Sequence, residues 1–230
     1  MTTIRIENEI KMLADRGPFS FEGNDAGKAI SFLRFALTQV GMSYTEPVLV
    51  GIHDDYYVDQ EDTLSKRGVI LRYRIKDGKN HSITCKQPYF SDGAGMCRRE
   101  FVTELFITDK FDKMAALEDQ AERYLGTKGI LPVPKLSADI LRVEMDIRSD
   151  VRKYGLKFDR IVYFDPRSGK YTMPDYELEI EALNCSIKDD NAIRRLVTNL
   201  TGSSMFREES VSKYARGREW LDSLEGRTVE

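Results

Sequence analysis

Glu7, Glu9 and Lys11 stand at every second position near the start of the chain, and Glu179 and Glu181 repeat that spacing near its end. Between them come Arg72 and Arg74, then Lys86, then Arg98 with Glu100. In extended backbone, side chains two residues apart share a face and sit ~7 Å apart along it, close enough for two carboxylates to serve one hydrated cation. Lysine and arginine neutralise phosphate oxygens, arginine often through a two-pronged contact. An all-oxygen ligand set suits hard Mg²⁺ or Mn²⁺. Other metal chemistries find no support: Cys85, Cys97 and Cys185 show no CxxC spacing, and His53 and His81 have no partner three or four residues away. A His-dependent nucleophile is equally unsupported. Residue types and spacing point to a site where divalent cations meet a polyphosphate.

The same residues indicate which elements must position them. Charged and apolar residues alternate along Ile4–Lys11, Leu71–Lys76, Ile83–Lys86, Arg98–Leu105, Arg142–Arg148 and Tyr176–Ala182. A period of two gives each strand one apolar and one charged face. Helical periodicity marks four segments: about 25–41, with Ala29, Leu33 and Leu37 on one face; Met114–Leu125 before Gly126; Ile193–Leu200 before Gly202; and about 207–224. Helices need an apolar surface to pack on, and the strand faces are the surface available. Packed outside, they leave the charged faces pointing at one another across a closed barrel, a geometry we prefer to a plain sheet with a solvated outer face. Charges withdrawn from water in such a lumen must be paired or bound to a ligand.

With 230 residues, 41% of them apolar, the chain can bury a core, and no repeat or long linker divides it, so residues 1–230 read as a single domain. Lys plus Arg number 35 against 38 Asp plus Glu, and the net charge of −3 gives no general pull toward nucleic acid. No apolar run approaches the ~20 residues needed to span a bilayer, and charged residues stand where a signal peptide is apolar. The expectation is a soluble, cytoplasmic protein. Two look-alikes of phosphate loops are set aside. Gly93-Ala94-Gly95 falls between strands and reads as a hairpin loop, and Gly23–Lys28 is one residue short of a P-loop and is followed by Ala29. Trp220 reads as a packing residue.

Taken in order, the motifs resemble those of the CYTH domain, the triphosphate tunnel metalloenzymes. Glu7-Asn8-Glu9-Ile10-Lys11 looks like the family's ExExK signature, and Tyr57-Val58-Asp59 with Leu64 and Gly68 like its YFD-type segment. Leu71-Arg72-Tyr73-Arg74 resembles the LRxR strand, and Ile83-Thr84-Cys85-Lys86 the strand ending in a single Lys. Arg98-Arg99-Glu100-Phe101 resembles the RxE strand, Glu179-Ile180-Glu181 the late ExE pair, and Ser212-Lys213-Tyr214 the C-terminal Ser-Lys element.

The resemblance implies an α+β fold, an eight-stranded antiparallel β tunnel with helices packed outside, that cleaves or cyclises triphosphates with Mg²⁺ or Mn²⁺. It implies a catalytic, metal-holding group of Glu7, Glu9, Glu179 and Glu181, with Glu100 as a further ligand. Lys11, Arg72, Arg74, Lys86, Arg98 and Lys213 would grip phosphates. Val102 departs from the pattern where many members carry a second acid, leaving Glu104 or nothing in that role. A basic residue on a middle strand corresponds to Arg148 or Arg152. An acid on the next strand corresponds to Asp159 or Asp165, with Asp165 favoured as a metal ligand by its place just ahead of the ExE strand. The implied reaction is hydrolysis of the terminal phosphate of a small-molecule triphosphate: inorganic tripolyphosphate, thiamine triphosphate or a nucleoside triphosphate. Class IV adenylyl cyclase chemistry on ATP and non-catalytic binding of a triphosphate or polyphosphate are the alternatives. The lack of surplus basic charge argues against long RNA as a partner, and with no spanning apolar run no membrane partner is expected.

Overall fold

The computed structural model describes residues 2–14, 26–88, 96–108, 111–126, 128–129, 131–183, 187 and 189–225. In chain order the elements are β1 (Thr2–Ala14), α1 (Gly27–Gln39), β2 (Ser43–Tyr44), β3 (Val48–Val58), α2 (Thr63–Lys66), β4 (Ile70–Lys76), β5 (Asn80–Pro88) and β6 (Met96–Leu105). They continue with α3 (Lys113–Leu125), β7 (Val133–Arg148), β8 (Lys153–Phe164), β9 (Asp175–Leu183), α4 (Asn191–Gly202), β10 (Phe206–Glu208) and α5 (Lys213–Glu225). Eight strands pair in the circuit β1-β6-β5-β4-β3-β7-β8-β9 and back to β1, every pairing antiparallel. The wall therefore closes on itself and keeps no free edge along the circuit. Short β2 and β10 add to it locally, on β7 and β1. Register brings distant stretches of chain together: Lys11 stands opposite Glu179 and Glu9 opposite Glu181, while Lys86 stands opposite Glu100. The expected antiparallel tunnel with helices outside is the observed architecture.

Alternation decides which side of the wall each residue takes. Outward-facing Met12, Val143, Tyr154, Leu156, Leu178 and Ile180 are buried under α1 and α4, whose Leu33, Leu37, Ile193, Leu196 and Leu200 complete one core. Outward Leu71, Tyr73, Ile83, Cys85 and Phe101 form a second core with Leu64 of α2 and Leu117 and Ala121 of α3. Each fully buried aliphatic side chain contributes ~1.5–3 kcal/mol, and this is how the wall tolerates charge on its other face. Asp112 starts α3 by accepting from the backbone N–H of Met114 at 2.9 Å and of Ala115 at 3.1 Å, and Gly126 ends it at φ 65°. Asp190 caps α4 in the same way and also accepts from the Tyr154 hydroxyl at 2.8 Å, tying the helix to β8. Among the described residues no helix is long and apolar enough to cross a membrane.

A third apolar group lies on the inward side. Val50, Ile52, Tyr56, Ile70, Leu136, Ala138, Ile140, Ile161 and Tyr163 fill one end of the barrel, and α5 sets Tyr214 and part of Trp220 against them. Gly217 marks the closest approach: a Cβ there would stand 2.4 Å from Leu136 Cδ2 and 2.8 Å from Tyr163 Cδ1. Helix α5 thus stoppers this end, and its first residue, Lys213, reaches the lumen. Periodicity suggests a helix from about residue 207, but Phe206–Glu208 pair with Met12–Ala14 as β10. Phe206 is buried in the first core and stacks on Phe32 with ring centroids 5.8 Å apart, and that packing holds the segment extended. Gly93-Ala94-Gly95, expected as a hairpin loop, and Gly23–Asp25 lie outside the described residues.

Candidate active site

The inward charged residues surround a cavity of about 290 Å³. Lys and Arg outnumber Glu by ten to six among the residues lining it, so a cationic hollow sits inside a chain of net charge −3 and draws polyanions inward.

Strands β1 and β9 build its acidic side. One carboxylate oxygen from each of Glu7, Glu9 and Glu181 lies within 4.8 Å of the others. Glu7 and Glu9 are buried, and neither oxygen of Glu9 has a hydrogen-bond partner. Lys11 Nζ stands 3.0 Å from Glu9 Oε1 as an ion pair. Burial, only partly offset by Lys11 and reinforced by the charges of Glu179 and Glu7, pushes the Glu9 carboxyl up to about 7. Burial acts on Glu7 as well, but Lys86 at 3.0 Å and a hydrogen bond accepted from Glu100 hold it well below the usual carboxylate range. Glu181 pairs with Lys157, yet burial still pushes its carboxyl upward. A buried carboxylate without a hydrogen bond, as Glu9 is, is costly, and a divalent cation shared by Glu7, Glu9 and Glu181 relieves that cost. The donors are all oxygen, so the residues fit Mg²⁺ or Mn²⁺.

Strands β4, β5 and β6 carry the basic wall. Arg74 makes a two-pronged contact with Asp54, Nε to Oδ1 at 2.6 Å and Nη2 to Oδ2 at 2.7 Å. Arg72 donates to Asp54 at 3.5 Å and to Thr84 Oγ1 at 3.2 Å. Lys86 bridges Glu7 and Glu100, and half-buried Arg98 lines the cavity. Toward α5 the charges interlock. Lys213 Nζ contacts Glu177, reaches Glu179 at 2.7 Å and Asp159 at 3.2 Å. Arg142 grips Asp159 with two bonds of 2.7 and 2.6 Å and comes within 3.6 Å of Glu179. Burial would raise Glu179, but Lys213, Lys11 and Arg142 overcome it and hold the group well below its ordinary value.

Of the residues singled out by sequence, Glu7, Glu100, Glu179, Glu181, Lys11, Arg72, Arg74, Lys86, Arg98 and Lys213 line this cavity, and Glu9, outside the lining itself, groups with Glu7 and Glu181. Three do not. Asp165 follows the end of β8 and folds the next turn, accepting from Ser168 Oγ at 2.6 Å and from the Arg167 N–H at 2.9 Å. The acid on that strand that reaches the charged interior is Asp159. Arg148 and Arg152 are exposed at the β7–β8 hairpin, because 16-residue β7 outruns the barrel wall. The buried base of β7 is Arg142, six residues earlier on the same face. Val102 faces the cavity, and Glu104 lies exposed at its edge, so the second-acid position is apolar here. Asp54, Lys157 and Glu177 went unselected by sequence; their period-two spacing to Tyr56, Asp159 and Glu179 was the available signal.

The family model of the CYTH domain matches residues 31–217. No curated protein matches. Among solved structures, a "putative adenylate cyclase" from Bacillus halodurans is 21% identical, with 93% of this chain and 97% of that chain covered and a TM-score of 0.60. A "putative adenylyl cyclase" from Hippeastrum, for which a dominant triphosphatase activity is described, is 17% identical, covers 94% and 95%, and scores 0.54. The PH1819 protein of Pyrococcus horikoshii is 19% identical, covers 93% and 98%, and scores 0.50. These are similarities of fold.

Proposed function

The chain belongs to the CYTH domain family, and from that premise we propose that it is a metal-dependent triphosphatase, hydrolysing the terminal phosphate of tripolyphosphate, thiamine triphosphate or a nucleoside triphosphate. The observation that carries this reading is Glu9, a buried carboxylate without a hydrogen bond, grouped with Glu7 and Glu181 beside a cavity lined by more Lys and Arg than Glu. Glu7, Glu9 and Glu181 would hold Mg²⁺ or Mn²⁺, with Glu179 beside them. Bound there, the cation supplies neutralisation of phosphate oxygens and a lowered pKa for a coordinated water.

Phosphoryl transfer needs charge neutralisation and in-line positioning more than covalent chemistry. Arg72, Arg74, Lys86 and Arg98 bind the phosphate oxygens and set their line along the cavity. Lys11 and Lys213 hold Glu9 and Glu179 in place. A carboxylate of the acidic side accepts the proton of the attacking water. The size of the cavity suits a small molecule. The activity described for the Hippeastrum protein of the same fold supports hydrolysis over cyclisation.

The test is release of phosphate from tripolyphosphate, thiamine triphosphate and ATP, with Mg²⁺ or Mn²⁺, cyclic AMP being assayed in parallel. One orthophosphate per triphosphate, lost in EDTA, is expected. Cyclic AMP with pyrophosphate would replace hydrolysis by cyclase chemistry, and binding without turnover would reduce the protein to a triphosphate binder.

A further inference from the structure

We infer that Asp54 is a positioning residue: buried on the inward face of the tunnel beneath Arg72 and Arg74, it sets the angle at which they meet the phosphates. The inference rests on the triphosphatase reading and deepens it. Asp54 is 0% exposed and is not among the residues lining the cavity, so it acts only through its neighbours. It stands opposite Arg74 in the β3–β4 ladder, and Arg72 lies one same-face position along. Both carboxylate oxygens are engaged: Oδ1 accepts from Arg74 Nε, and Oδ2 accepts from Arg74 Nη2, from Arg72 Nη1 and, at 3.3 Å, from the Tyr56 hydroxyl. Burial alone would protonate Asp54, but Arg74 and Arg72 hold it ionised.

The geometry has a chemical cost and a chemical use. A two-pronged carboxylate takes two of the five guanidinium N–H groups of Arg74 and fixes the plane of the fork, leaving three for a ligand. Arg72 is held at Nη1 by Asp54 and at Nη2 by Thr84, and its buried Nε has no acceptor. Without Asp54, two adjacent cations would repel and swing. Asp54 thus cancels one positive charge in a cavity that binds anions and provides orientation in its place.

That exchange has a kinetic signature that general loosening lacks. Asp54→Asn keeps the shape, adds one positive charge to the site and frees both forks. With tripolyphosphate and Mg²⁺, kcat is expected to fall roughly 10- to 100-fold while KM stays at or below the wild-type value. Arg74→Lys keeps the charge but has no fork, so its loss should be comparable. The double variant should then be no worse than the poorer single one. Calorimetric binding in EDTA gives a readout without turnover: wild type should prefer tripolyphosphate to orthophosphate, and Asp54→Asn should lose that preference while binding orthophosphate more tightly. This arm separates two failures, since a wild-type protein that releases no phosphate sinks the triphosphatase reading while the binding preference still tests Asp54. If Asp54→Asn folds poorly, Asp54→Glu keeps the charge and shifts the forks by one methylene, and should lower kcat about 10-fold at unchanged KM. A raised KM at unchanged kcat, additive losses in the double variant, or unaltered discrimination would each overturn the assignment.

Discussion

Replacing Glu9 by glutamine should stabilise the metal-free protein at alkaline pH and remove its response to cations. The reason is electrostatic. Glu9 is 5% exposed and hydrogen-bonded by nothing, and burial with the charges of Glu179 and Glu7 outweighs Lys11, so its carboxyl lies at about 7 instead of 4.5. A group whose pKa is higher in the folded state contributes stability that is fully present below the unfolded value and is lost as pH rises through the folded one. The loss therefore falls between about pH 4.5 and pH 7, and at ~1.4 kcal/mol per pH unit it amounts to ~3 kcal/mol. Glutamine does not titrate. In EDTA, Glu9→Gln should match wild type near pH 5 and exceed it at pH 8 by ~1–3 kcal/mol, several degrees in Tm for a chain of this length. Adding Mg²⁺ or Mn²⁺ at pH 8 should reverse the order, because cation binding to the native state raises only the wild-type Tm. Thermal unfolding at the two pH values, with and without metal, reads all of this. Equal metal-induced shifts in both proteins, or a Glu9→Gln deficit of the same size at pH 5 and pH 8, would refute the reasoning.

Further expectations concern the rest of the tunnel. Arg142→Lys keeps the charge but loses the two-pronged grip on Asp159 and should lower kcat/KM at least ~10-fold, whereas Arg148→Ala at the exposed hairpin should stay within about twofold in the phosphate-release assay. Gly217→Ala forces a methyl against Leu136 and Tyr163 and should cost ~1–3 kcal/mol in urea unfolding; unchanged stability would show that α5 is not seated in the barrel end. On the outer face, hydrogen bonds to Asp139 at 2.6 Å and Asp55 at 3.1 Å raise His53 to about 10. Its contribution is present below about pH 6.5 and lost as pH rises through 10. Because the side chain is 40% exposed, His53→Gln should cost no more than ~1 kcal/mol at pH 6, with turnover unaffected; a larger loss, or one that grows above pH 10, would contradict this.

Much of the fold was legible because period two is strict here. Glu7, Glu9 and Lys11 could face inward only if Ile10 and Met12 faced out, and the same logic ran along β4, β6, β7 and β9. The long amphipathic helices then fixed which face was covered. What alternation cannot convey is position along a strand. Arg142 and Arg148 share a face of β7, and only the register opposite β8, which sets Arg142 against Asp159 and Arg148 against Lys153, decides which lies within the barrel. The choice between Asp159 and Asp165 turned on the same fact, since β8 ends at Phe164. The second line of residues was hidden for another reason. Asp54 and Glu177 are wholly buried acids on the inward face of the tunnel, and the cations they pair with lie 18 to 39 residues away in sequence, a pairing that alternation alone does not display. The start of α5 was misplaced because Phe206 answers to tertiary packing on Phe32 rather than to helical spacing.

One measurement addresses the central claim directly: diffraction at the manganese edge from crystals grown with Mn²⁺ and a non-hydrolysable triphosphate. An anomalous peak is expected at coordination distance from a Glu9 oxygen, between Glu7 and Glu181, with phosphate density running along Arg72, Arg74 and Lys86. Manganese bound only on the outer surface, or a triphosphate lodged outside the barrel, would contradict it.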